Sequence, residues 1–209
     1  LGSSAAAIVG GLLAANSLFE EPLDAQLLLR LAIKLEGHAD NVTPALLGGC
    51  QLVVHDGDTP VTCDIPIPPD LMAVLFIPDK PMPTNEGRAL LPKLVDRSDA
   101  IYNIGRAAML TQALSTGNLS NLRIATQDKL HQPHREKIFP AMSQIFTAAM
   151  NAGASAVFLS GGGSSILALA TSRLMTIGYE MANAADKAGV TGNLKVTRPS
   201  SKGAQVISG

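Results

Sequence analysis

The apolar runs of this chain are short and of two kinds that do not take turns. Segments 51–54, 61–65, 71–77, 154–160 and 165–170 are brief β-type runs bounded by turn residues. The remaining apolar residues recur at helical spacing. Two helical segments come first, then three β-type runs, then several helices, two more β-type runs, a helix and one or two tail strands. A doubly wound sheet would alternate strand and helix strictly, so the pattern predicts an α+β fold. The longest apolar run, 5–15, contains Gly10 and Gly11 and falls well short of the roughly 20 residues a membrane span needs. It also lacks a basic leader. No repeat or low-complexity tract interrupts the chain.

Punctuation residues set the expected element ends. Ser3 or Ser4 can cap a helix from Ala5 onward. Pro22 and Gly37 suit the first and last positions of a helix over 22–36. Thr43-Pro44 opens a short helical turn closed by Gly48-Gly49, and Asp56-Gly57-Asp58 reads as a turn between strands. Further helices are expected at 84–94, 99–115, 119–130, 134–152 and 172–187, with Pro140 bending the fourth or marking its true start. A domain boundary is expected near Gly57, giving segments 1–57 and 58–209.

Composition narrows the function. The formal charge is −1, with 16 basic and 17 acidic residues, so no cationic face for nucleic acid is implied. Aromatics make up 3% of the chain and tryptophan is absent, which argues against base-stacking platforms. Cys50 and Cys63 cannot staple a secreted scaffold, and they fit reduced thiols in a cytoplasm better than a single bridge.

Four constellations can carry chemistry. Leu1-Gly2-Ser3-Ser4 feeds a helix start, where free N–H groups and the positive dipole end attract a phosphate; the same pattern serves plain capping. His38-Ala39-Asp40-Asn41 offers an imidazole, a carboxylate and an amide to a small polar ligand, or forms a turn before Thr43. Thr84-Asn85-Glu86-Gly87-Arg88 and 128–135 each place an arginine, Arg88 and Arg135, at a loop–helix junction. A guanidinium there can fork onto a carboxylate, or stand in solvent. In the second segment Asp128, His131 and His134 are spaced as in a metal triad, but Pro133 breaks the helix that would align them. Ser160-Gly161-Gly162-Gly163-Ser164-Ser165 separates two β-type runs. It permits close approach to a ligand, or simply turns the chain.

In this order, the four patterns resemble the GHMP small-molecule kinases and, within them, the branch that phosphorylates homoserine. Residues 1–6 resemble the end of the superfamily's phosphate loop. His38-Ala39-Asp40-Asn41-Val42-Thr43-Pro44-Ala45 resembles the branch's HxDNxxPA segment, and 160–165 the third superfamily motif. The resemblance implies the end of an N-terminal α+β domain followed by a ferredoxin-like C-terminal domain, with the site between them. It implies ATP and Mg²⁺ as cofactors and L-homoserine as substrate, in a step of threonine synthesis. Leu1, Gly2, Ser3, Ser4, Gly161, Gly162 and Gly163 would hold the nucleotide. His38, Asp40, Asn41, Thr84, Arg88 and Arg135 would hold the amino acid, with Asn41 nearest the reacting hydroxyl and Asp40 either its base or an orienter of the amino group. Ser4 and Glu36 would contact Mg²⁺; a gapless count puts Arg30 where the family has its acidic ligand, and Glu36 is the nearby carboxylate. Ser164-Ser165 departs from the family's SGAGPT-like motif.

The first superfamily motif and the upstream half of the second are absent from the 209 residues and are expected upstream of Leu1, so these residues alone are expected to be inactive. Other acceptors of the same superfamily, a metal-dependent hydrolase on Asp128, His131 and His134, and a ligand-binding fragment are the alternatives. A homodimer is the prior for an enzyme of this size.

Overall fold

The computed structural model describes residues 2–19, 23–80 and 90–207, which form two compact units, Leu1–Ile67 with Pro199–Gly209, and Pro68–Arg198. The sequence puts its boundary near Gly57, at the tip of a hairpin that lies within the first unit.

The first unit packs three helices beside one hairpin. Helix α1 spans Ser3–Leu18, α2 Ala25–Glu36 and α3 Val42–Leu47; β1 (Cys50–Asp56) pairs antiparallel with β2 (Thr59–Ile65). Ala5, Val9, Leu29, Ala32 and Val42 form its core, so α1 is held along one narrow stripe. Small residues on that stripe let α1 and α2 lie close. Helix α2 starts later than Pro22 suggests, because the Asp24 carboxylate accepts from the Leu27 N–H at 2.7 Å and sets the cap. Gly37 ends it in the left-handed region at φ 85°, as the sequence predicts. Register sets Leu52 opposite Cys63 and Cys50 opposite Ile65, and both thiols are free.

The second unit is a four-stranded antiparallel sheet in the order β4-β5-β3-β6. Its strands are β3 (Met72–Pro78), β4 (Ala156–Leu159), β5 (Ile166–Ala170) and β6 (Gly192–Thr197). Helix α4 (Arg97–Thr116), a 3₁₀ turn at Leu119–Asn121, α5 (Leu122–Ala125), α6 (Gln132–Glu136) and α7 (Ala141–Asn151) lie between β3 and β4. Helix α8 (Leu174–Lys187) joins β5 to β6. Within the unit, strands in chain order thus take the spatial order 4-1-3-2, the ferredoxin-like arrangement. Ile145, Ala149, Ile177 and Met181 from α7 and α8 meet Val74, Phe76, Ile166 and Ala168 of the sheet in one buried core. Central β3 is apolar almost throughout, and most of its residues are buried.

Three expected helices differ. The 84–94 segment lies partly outside the described residues, and 91–95 is not helical. The 119–130 helix stops at Ala125, because the chain then bends around Asp128. The 134–152 helix divides into α6 and α7, and Pro140 stands at the N-cap of the second. Among the described residues no helix is long and apolar enough to cross a membrane.

The chain end returns to the first unit, where Gly49 N–H donates to Ser200 O and Ala204 N–H to Ala45 O, both at 2.9 Å. Gly48 sits at φ 83°, and a Cβ there would come within 2.6 Å of the Ser201 carbonyl oxygen. Gly48→Ala should therefore lower stability by about 1–3 kcal/mol, read as a lower urea midpoint. An unchanged midpoint would contradict this docking of the tail.

Candidate active site

In the first unit the candidate residues gather at the start of α1. Gly2 takes a left-handed conformation (φ 63°, ψ 26°), and the helix begins at Ser3 without a side-chain cap. The capping expected of Ser3 or Ser4 is absent because both serines already lie inside the first turn. The Ser4 hydroxyl instead donates to Glu36 Oε1 at 2.6 Å. The backbone N–H groups of that turn keep no intrahelical acceptor, and the helix dipole adds its positive end to them.

Glu36 ends α2 with its side chain only 8% exposed. His38 Nε2 stands 3.8 Å from Glu36 Oε1, while His38 Nδ1 bonds Asp40 Oδ1 at 2.6 Å. The same Asp40 oxygen accepts the Asn41 N–H at 2.8 Å, which turns the chain into α3. Ser4, Glu36, His38 and Asp40 thus form one connected row. The Asn41 side chain closes the group: its Oδ1 lies 3.9 Å from where a Cβ of Gly2 would be. Thr43 is buried and donates to Ala39 O, pinning the turn from below. Arg30 is exposed on α2, and the structure records no polar contact of it with this row.

Two oxygen donors 2.6 Å apart, one of them a carboxylate, suit a hard divalent cation such as Mg²⁺. Such a cation takes one or two carboxylates from the protein and completes its shell with phosphate and water.

In the second unit the 128–135 segment is wrapped around Asp128. Its carboxylate accepts the backbone N–H groups of Leu130 (2.7 Å), His131 (2.9 Å) and Gln132, and the Asn103 amide of α4 (2.7 Å). Partial burial pushes the carboxyl up, but these donors outweigh it and hold the pKa below the ordinary aspartate value. Asp128 is thus occupied as a loop organiser, and its role in a metal triad with His131 and His134 is not supported. Among the described residues no group of three His, Cys, Asp or Glu side chains is arranged for a metal.

The wrapped loop holds two neighbours. Gln132 Oε1 accepts the Leu159 N–H at 2.9 Å, at the last residue of β4 before the glycine-rich turn. Arg135 is buried at 3% exposure, and its Nε donates to His131 Nε2 at 3.0 Å. A Cβ on Gly162 would lie 3.9 Å from Arg135 Nη2, so the bare backbone of the turn passes close to the guanidinium. Gly161 and Gly163 take positive φ, and a Cβ on Gly163 would press into the Leu159 side chain. Ser164 Oγ donates to Lys80 O at 3.1 Å, and Ser165 O accepts the Ser160 N–H at 2.9 Å. Leu1, Thr84 and Arg88 lie outside the described residues.

Each unit therefore brings its own candidates together: a positive helix start beside a hydroxyl–carboxylate pair, and a buried guanidinium beside a glycine turn. A helix start of this kind suits an anion, and a guanidinium suits a carboxylate or a phosphate. Residues 1–49 match the family described as GHMP kinases N terminal domain, and 100–189 that described as GHMP kinases C terminal. The homoserine kinase of Moorella thermoacetica is 42% identical over 207 residues, covering 99% of this chain and 70% of that protein. That of Trichormus variabilis is 46% identical over 191 residues, covering 91% of this chain and 63% of its own length. The crystal structure of homoserine kinase from Cytophaga hutchinsonii superposes with a TM-score of 0.92 at 32% identity, over 99% of this chain and 68% of that one. The chain belongs to the GHMP kinases, in their homoserine kinase family.

Sequence reasoning missed the Asp128 wrap, the Gln132 link and the His131–Arg135 bond. The run of 128–135 held the signal, since an Asp followed by N–H donors two to four residues on is the pattern of a side-chain-closed turn. Asp128→Asn turns an acceptor into a partial donor among donors, and should cost about 1–3 kcal/mol at pH 7 by urea denaturation. Because the folded pKa is depressed, the wild-type contribution is complete above about pH 3.9 and lost as pH falls through the lower folded value. Equal stability of the two proteins at pH 7 would contradict the wrap.

Proposed function

We propose that the full-length protein transfers the γ-phosphoryl group of ATP to the side-chain hydroxyl of L-homoserine, forming O-phospho-L-homoserine and ADP on the route to threonine. The carrying observation is the uncapped start of α1 with the Ser4–Glu36 oxygen pair set beside it. The chain spans 63% and 70% of the length of the two homoserine kinases named above, so the reaction is assigned to the protein of which these residues are a part.

Phosphoryl transfer needs charge stabilisation and alignment more than covalent help from the protein. Gly2, Ser3 and Ser4 hold the triphosphate through backbone N–H groups, and the missing side chain of Gly2 lets it approach. Ser4 and Glu36 would hold Mg²⁺, which would neutralise phosphate charge. Asn41, packed against Gly2, contacts the acceptor hydroxyl. Asp40 has Oδ1 engaged by both His38 and its own turn, which supports an orienting part at the amino group of the substrate. Arg135 and Arg88, with Thr84, take the substrate carboxylate, where a bidentate fork fixes the far end of the amino acid. Gly161, Gly162 and Gly163 keep side chains away from the bound substrates. Fixing the acceptor hydroxyl in line supplies up to about 7–11 kcal/mol of barrier reduction. A reduced, cytoplasmic setting suits the free thiols Cys50 and Cys63.

The full-length protein should release ADP with ATP, Mg²⁺ and L-homoserine, and not with a sugar or mevalonate as acceptor. Glu36→Gln should lower kcat by about a hundredfold or more, with a raised Mg²⁺ requirement. No ADP above background on homoserine, or full activity of Glu36→Gln, would reject the proposal.

A further inference from the structure

Arg135 is a long side chain buried at 3% exposure, and it can serve as a carboxylate fork only if its plane is fixed. One group on this chain that holds it is a residue the sequence had offered as a metal ligand. His131 is the N-cap residue of α6, and its carbonyl accepts the N–H groups of His134 (3.1 Å) and Arg135 (3.2 Å). Its own N–H is held by Asp128 at 2.9 Å. The ring therefore stands on a backbone locked from both sides, four residues before Arg135 on one helical face. Its Nε2 meets Arg135 Nε at 3.0 Å.

Resting on the reading of Arg135 as a carboxylate clamp, we propose that His131 is a positioning residue: its neutral imidazole accepts the Arg135 Nε–H and so sets the plane of the guanidinium toward the substrate. A guanidinium can only donate, so Nε2 must be unprotonated and the ring hydrogen must sit on Nδ1. A protonated ring would place donor against donor, and cation against cation.

The surroundings keep the ring neutral. Burial lowers the His131 pKa first, the Arg135 charge adds to it, Asp128 opposes and His134 adds slightly. Arg106 of α4 lines the same small cavity, with Asn103 and Gln132 as neutral polar neighbours. Protonation therefore needs a pH below the ordinary imidazole value of about 6.5. Acid then releases the guanidinium plane, and homoserine binding weakens while nucleotide binding does not.

The test uses the full-length enzyme and steady-state kinetics with each substrate varied, between about pH 5.5 and 8. His131→Leu should raise KM for L-homoserine by about tenfold, with KM for ATP and kcat within about threefold of wild type. His131→Gln, whose amide oxygen can replace Nε2 as acceptor, should restore KM for homoserine. It should also abolish the acid rise of that KM seen in the wild type. A His131→Leu enzyme with unchanged KM for homoserine, or a His131→Gln enzyme that keeps the acid rise, overturns the proposal. Arg135→Ala separates the two layers: a large rise in KM for homoserine supports the clamp whatever His131 does. No rise removes the clamp, and the role of His131 falls with it. If His131→Leu does not fold, ¹⁵N-histidine NMR of the wild type decides. An unprotonated Nε2 on His131 at neutral pH supports the bond, and a protonated Nε2 overturns it.

Discussion

The chemistry proposed for this chain depends on a helix start left without a side-chain cap. Helix α1 begins at Ser3, its serines are inside the turn, and Ser4 gives its hydroxyl to Glu36 instead. Orphan N–H groups and the dipole end are then available to an anion, and a buried carboxylate stands next to them. A carboxylate beside an anion site repels the anion unless a cation mediates. Under the proposed function, the same pair of oxygens would account for both a phosphate at α1 and a divalent cation beside it. Glu36 can occupy this place because Gly37 stops α2 right after it in a conformation that suits glycine.

The two units use different physics. In the first, a thin core of alanines, valines and Leu29 holds α1, and polar side chains form a row beside it. In the second, a sheet and two helices make a thick apolar core, and one carboxylate, Asp128, collects the backbone donors of a loop on its edge. A rigid sheet with a wrapped loop suits a guanidinium that must keep one orientation, because little can yield around it. Tyr102 and Arg106 of α4 tie the loop from outside: the Arg106 guanidinium lies 3.1 Å over the Tyr102 ring, and both side chains donate to Gln127 Oε1. That contact joins the long helix to the loop independently of Asn103.

Local signals were readable in the sequence. The α+β class, the Gly37 stop, the Asp56-Gly57-Asp58 turn and the glycine turn between β4 and β5 each depend on a few adjacent residues. So did the groupings 38–41 and 128–135, which held His38, Asp40, Asn41 and Arg135 among the candidate residues. What could not be read depends on residues far apart in the chain. Ser4 meets Glu36 across 32 positions, and Leu159 meets Gln132 across 27. The tail at Ser200 and Ala204 meets the end of α3 across the whole sequence of the second unit. Helix ends were misread where a side chain competed with the backbone ladder, as at Asp24 and Asp128, since propensity does not say which acceptor wins.

The most direct test of the central claim is a crystal structure of the full-length protein with L-homoserine, Mg²⁺ and a non-hydrolysable ATP analogue. The account predicts the metal on Ser4 Oγ and the Glu36 carboxylate, and phosphate oxygens on the N–H groups at the start of α1. A triphosphate bound away from α1, or a metal held without Glu36, would contradict it.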